Sequence, residues 1–102
     1  MKSILVSVCL ILLSSIVLAQ EHSFTPPDGF VPDAQTAIKI AEAVLVPIYG
    51  ADTIGRQRPF TATLRDGVWI VSGSTPRGAF GGSAVVEISK MDGRVERVSH
   101  SR

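Results

Sequence analysis

The sequence predicts an α+β domain: one N-terminal amphipathic helix packed on a four-stranded antiparallel sheet made of two hairpins. Three observations carry this. A single stretch, residues 34–48, repeats its apolar residues at helical spacing. Two later stretches alternate apolar and polar residues around Asp66-Gly67. A third and a fourth alternating run flank Asp92-Gly93.

The chain has 102 residues, room for one small domain. Its first part reads as a secretory leader. Met1-Lys2 is a positive start, Ile4 to Leu13 is almost wholly apolar, and Val17-Leu18-Ala19 suits a cleavage site. The expectation is residues 1–19 as a signal peptide cut after Ala19. The alternative is a retained anchor helix. The shortness of the apolar run and its break at Ser14-Ser15 favour cleavage. The expected locations are the periplasm or the medium, with no membrane attachment after cleavage. Cys9 is the single cysteine and lies inside this leader, so no intrachain disulfide can form.

Residues 20–102 carry nine Lys and Arg (ten in the chain, less Lys2) and nine Asp and Glu. Zero net charge argues against a nucleic-acid partner, which wants a basic surplus. Residues 20–31 hold Pro26-Pro27 and Asp28-Gly29 and read as a flexible lead-in, with Phe24 and Phe30 placed to clip it down. The domain proper is expected over 32–102.

Asp33 is placed to cap the helix with its carboxylate. Ala37, Ile40, Ala41, Val44, Leu45 and Ile48 form the expected buried face, with Ile38 at its margin and Gln35 and Lys39 opposite. Pro47 should kink the last turn, and Gly50 should stop the helix. Residues 51–59 read as a connection in which Ile54 tucks under the helix end.

The hairpin Arg58–Ser74 organises the rest. Asp66-Gly67 suits a two-residue turn with positive φ at both positions. That turn sets Arg65 opposite Val68, Leu64 opposite Trp69, Ala62 opposite Val71 and Phe60 opposite Gly73. Phe60, Ala62, Leu64, Trp69 and Val71 then share one face, and Thr61, Thr63 and Arg65 the other. Trp69 is therefore a core residue. Residues 72–82 form a Gly-rich loop. Residues 83–89 are a third strand facing Ala84, Val86 and Ile88 to the core. Residues 94–100 are a fourth strand with Val95 and Val98 on opposite faces. Its charges, Arg94, Glu96 and Arg97, mark it as an edge.

No arrangement of residues points to catalysis, a cofactor or a metal. His22 and His100 lack partners at ligand spacing. No Gly-x-Ser-x-Gly elbow occurs. Gly78, Gly81 and Gly82 run into a strand, where a phosphate loop needs a helix. Glu42 and Glu87 have an acid–base reading, but pairing with an arginine or facing water is the favoured one, and Lys39 lies within reach of Glu42. Pro76, Arg77 and Phe80 in the long loop are the candidate partner contacts, since arginine and aromatic residues anchor interfaces; a solvated loop with one tucked Phe is the equal alternative.

A family likeness runs in order along the chain: Val31-Pro-Asp33, Thr36-Ala-Ile-Lys-Ile-Ala-Glu-Ala43, Pro47-Ile-Tyr-Gly50, Gln57-x-Pro59-Phe60, Leu64-x-Asp-Gly-Val-Trp-Ile-Val-x-Gly73, Pro76, Gly81-Gly82 and Glu87-Ile-x-Lys-x-Asp-Gly93. It resembles small bacterial immunity proteins with a nuclear-transport-factor-2-like fold, a cystatin-like sheet and helix, including those linked to Rhs-type polymorphic toxins. The resemblance covers about residues 30–100. It implies a non-enzymatic, monomeric antidote that binds a cognate protein toxin, with no cofactor and no catalytic residues to carry over. The chain is shorter than full members of that fold, which usually carry more helices around a larger sheet. The order of helix then strands, with Val-Val-Glu-Ile-x-x-x-Asp-Gly-x-Val near the end, is also similar to PepSY domains, which implies an envelope module restraining a protease or sensor. A small-ligand carrier or enzyme on the same sheet is the third reading, and it requires an apolar pocket with a buried carboxylate.

Overall fold

The computed structural model describes residues 22–75 and 82–101. Asp33 opens helix α1 (Ala34–Tyr49) in the expected way: its Oδ1 accepts from the backbone N–H of Thr36 at 2.8 Å and from the Thr36 hydroxyl at 2.7 Å. Those two hydrogen bonds, the backbone one foremost, hold its carboxyl below the ordinary range.

The buried face of α1 is narrower than its apolar spacing suggests. Ala37, Ala41 and Leu45 are fully buried, and Ala34, Ile38, Ile40 and Val46 pack at the margin. Ile48, expected inside, is half exposed. Ala37, Ala41 and Leu45 recur every four residues, and the next position on that line is Tyr49, which packs against the core, so Ile48 falls beside the line. The helix continues through Pro47 to Tyr49, and Gly50 ends it with φ +93°, its N–H donating to the Val46 carbonyl at 2.8 Å.

Residues 51–56, read as plain connection, form a second short helix, α2 (Ala51–Arg56). Its Ile54 is fully buried, as expected. Six residues including Gly55 are too few to display helical periodicity, so this element leaves no pattern in the sequence.

The sheet is a plain meander, β1 (Thr61–Arg65), β2 (Val68–Ser72), β3 (Ala84–Ser89) and β4 (Val95–His100), every neighbour antiparallel. The first hairpin has the predicted register: Arg65 opposite Val68, Leu64 opposite Trp69, Ala62 opposite Val71. Asp66 and Gly67 hold φ +50° and +76°, the pair of values a two-residue primed turn demands. The alternation then continues across the sheet, burying Trp69, Val71, Ala84, Val86 and Ile88 against α1.

Two departures occur at the margins. A register shift at Glu87/Ile88 sets Val95 opposite Ile88 and Val98 opposite Val86. Both valines therefore stand beside helix-facing partners, correcting the expectation of opposite faces. One extra residue between them cancels the alternation. The segment read as a flexible lead-in is tied down at its end. Phe30 and Val31 donate backbone hydrogen bonds to the carbonyls of Met91 and Lys90, both at 3.0 Å, and Val31 is fully buried. Val31 is the clip; Phe24 and Phe30 remain exposed.

Val31 also receives the indole of Trp69, whose Nε1–H donates to its carbonyl at 2.8 Å. One bond thus locks the lead-in, the helix start and the central strand around the core. At the other end, Tyr49 meets His100, hydroxyl to Nδ1 at 3.0 Å with the rings edge to face.

Candidate functional site

A shallow recess lies along one flank of α1. It is an open groove of about 490 Å³ lined by Gln35, Ile38 and Glu42 from the helix and by Arg58, Pro59 and Phe60 from the segment entering β1. The helix residues recur at three- and four-residue spacing, so they form one ridge. They flank the buried Ala37–Ala41–Leu45 line on its β1 side.

Glu42 and Arg58 close the groove with an ion pair, Nε of Arg58 donating to Oε1 of Glu42. Glu42 had been expected within reach of Lys39; its partner is sixteen residues away and comes from another element. The pair is half in water, so its value lies in fixing the groove wall more than in stability. Glu87 stands on the opposite face of the sheet, 3.9 Å from Arg97. The two carboxylates with an acid–base reading are thus separated by the sheet, each beside an arginine.

Gln57 ties the groove's floor to the sheet. Its Oε1 accepts from the Ala84 N–H at 2.8 Å and its carbonyl accepts from Ser74 N–H at 2.7 Å. The Ser74 hydroxyl donates to the Pro59 carbonyl at 2.6 Å. These contacts fix the strand entrance, where the Arg58–Pro59 peptide bond is cis. Nothing in the local sequence around Gln57 announces this role, because its partners lie seventeen and twenty-seven residues on.

At the far turn, Asp92 Oδ1 accepts from the Arg94 N–H at 2.9 Å, and this bond, helped by Ser89, holds its carboxyl low. The Arg94 guanidinium donates to Glu96 at 2.9 Å, which raises its own basicity. These groups compensate one another along β4. Among the described residues no three His, Cys, Asp or Glu side chains converge. No helix among them is long and apolar enough to cross a membrane.

Of the residues singled out from sequence, Trp69, Asp66, Gly67, Asp33 and Gly50 occupy the structural positions described above. Pro76, Arg77 and Phe80, the candidate partner contacts, lie outside the described residues. The groove was missed because it joins residues 35–42 to 58–60, and no single stretch displays it. Glu42 at the margin of the helix's apolar face was the one available signal.

A family model described as NTF2 fold immunity protein matches residues 36–102, which takes in most of α1 and the entire sheet. No curated protein and no solved structure matches the chain.

Proposed function

The chain belongs to the NTF2-fold immunity protein family, and from that premise we propose that it is a non-enzymatic antidote that binds a cognate bacterial toxin outside the cytoplasm. The observation that carries this is the extent of the match, residues 36–102, which takes in most of α1 and the whole sheet. The helix-on-sheet architecture agrees with the family's fold. A leader over residues 1–19, cleaved after Ala19, would deliver the protein where an incoming toxin is met. Binding is stoichiometric and acts by occlusion, with affinity resting on a few well-seated contacts and matched charge.

The test is co-expression with the toxin domain that the tagged protein captures from its host. The expected outcome is restored growth at comparable levels of both proteins, with the antidote recovered from the periplasm beginning at Gln20. Continued growth arrest with both proteins present in that compartment overturns the reading.

A further inference from the structure

Among the described residues β1 and β4 are the two edge strands of the sheet, and they are built differently. β4 is protected: Arg94, Glu96 and Arg97 are charged, and the register shift at Glu87/Ile88 disrupts its line. Charges and bulges are the devices that keep edge strands from pairing. β1 has neither. Its sequence is Thr-Ala-Thr-Leu-Arg, its register with β2 is unbroken over five residues, and four of the five side chains are exposed.

The backbone of this edge is free in a definite pattern. The two-residue turn makes Arg65 and Val68 a closely hydrogen-bonded pair, and bonding alternates from there. Thr61, Thr63 and Arg65 therefore spend their N–H and C=O groups on β2. The pattern is consistent across the sheet, since Gly67 and Gly73, at odd positions like Trp69 and Val71, bond outward to Lys90 and Ala84 of the β3 side. Ala62 and Leu64 direct their backbone groups away from the sheet, and no described strand lies beyond them. Their side chains face the helix side, where Leu64 is 44 % exposed and the α1 groove runs alongside the entrance to β1.

We propose that β1 is the toxin-docking edge: an extended segment of the toxin adds to it as a fifth strand, hydrogen-bonded to Ala62 and Leu64, with alternate side chains entering the groove of Ile38 and Phe60. This rests on the antidote reading above and names where its partner sits. Strand addition draws affinity from backbone bonds and specificity from pockets for alternate residues, and this edge offers both. Charge specifies the segment further. Arg58 is engaged by Glu42, whereas Arg65 forms no ion pair among the described residues. The segment therefore carries an apolar residue for the groove and, on its other face, a carboxylate opposite Arg65. A second copy of this chain does not supply that match: paired antiparallel about Thr63, it sets Thr61 against Arg65.

Residue-resolved amide exchange on the full folded domain tests this, with a catalytically inactive copy of the toxin domain that the tagged protein captures from its host as the probe. Alone, Ala62 and Leu64 exchange fast while Thr61 and Thr63 are protected. On saturation with the probe, exchange at Ala62 and Leu64 slows at least tenfold. The variant Leu64→Pro removes the outward N–H together with the Leu64 side chain, and Leu64→Ala removes the side chain alone. An edge tolerates the proline, so Leu64→Pro stays folded and binds the probe at least tenfold more weakly than Leu64→Ala does. Arg97→Glu, on the protected edge, binds as the wild type does. A bound probe that leaves Ala62 and Leu64 unprotected overturns the edge assignment and leaves the antidote reading standing. Protection that grows with the chain's own concentration, without the probe, makes a second copy the occupant and also overturns it. A probe that neither binds nor is neutralised overturns the antidote reading, and the docking edge falls with it.

Discussion

Trp69 contributes burial and a hydrogen bond, and substitutions separate them. Truncation to alanine removes a large buried ring and should cost about 3–5 kcal/mol. Trp69→Phe keeps most of the ring but leaves the buried Val31 carbonyl without its donor, which should cost about 1–3 kcal/mol. Urea midpoints of the two variants, compared with the wild type, check both values. The core position of Trp69 was legible from the hairpin register alone. Its bond to Val31 was not, because thirty-eight residues separate the partners. Asp33 is the opposite case, since an N-cap acts within its own turn and reads directly from sequence. Its carboxyl is held below the ordinary value of 3.8 chiefly by the Thr36 N–H. A depressed folded value means that the stabilisation is complete above the unfolded value and is lost as pH falls through the folded one. Melting temperature should therefore drop as pH is lowered from about 5 to about 2, and Asp33→Ala should drop less over that window. Asp92 shares this acid limb, so the variant's dependence shrinks without vanishing.

At the scale of elements, the parts that read correctly are those fixed by short-range chemistry. Asp66-Gly67 needs positive φ twice, and the two flanking runs had only one register that segregated their faces. Asp66→Val should cost about 1–2 kcal/mol, because a branched side chain at φ +50° crowds the backbone. Asp66→Asn should melt as the wild type does, since asparagine tolerates that region. Equal thermal stability of the two variants would refute the strained-turn account. The unreadable parts depend on distant neighbours. α2 is too short to show a period. The shift at Glu87/Ile88 arises between strands and puts Val95 and Val98 beside the same face. The tight approach of Gly82 to Ser101, which leaves no room for a Cβ, belongs to the same class: the glycine is visible in the sequence, but what it makes room for is not. The groove shares this origin, because the Glu42–Arg58 pair joins two elements that neither stretch can foresee.

The whole molecule is thinly stabilised and should gain greatly from its partner. Eleven apolar residues make up the buried core of the described chain, and the single cysteine rules out an intrachain disulfide. A domain of this size buries only about 60–65 % of its unfolded surface, so its margin over unfolding is small. A partner that binds only the folded state adds stability by mass action, about 2.7 kcal/mol at a hundred times its Kd. In a domain of this length each kcal/mol moves the melting temperature by about 4–8 °C, so the bound form should melt roughly 10–20 °C higher. The same measurement locates the contact. If the toxin segment extends the sheet at β1, the shift seen for Leu64→Ala should shrink by several degrees in Leu64→Pro at equal toxin concentration, because tenfold weaker binding forfeits about 1.4 kcal/mol of linkage. A shift in Leu64→Pro equal to that in Leu64→Ala would mean that the bound segment does not use the outward amide of that residue. The stabilising contact would then lie on another surface, and the bare, regular edge of β1 would have no binding role.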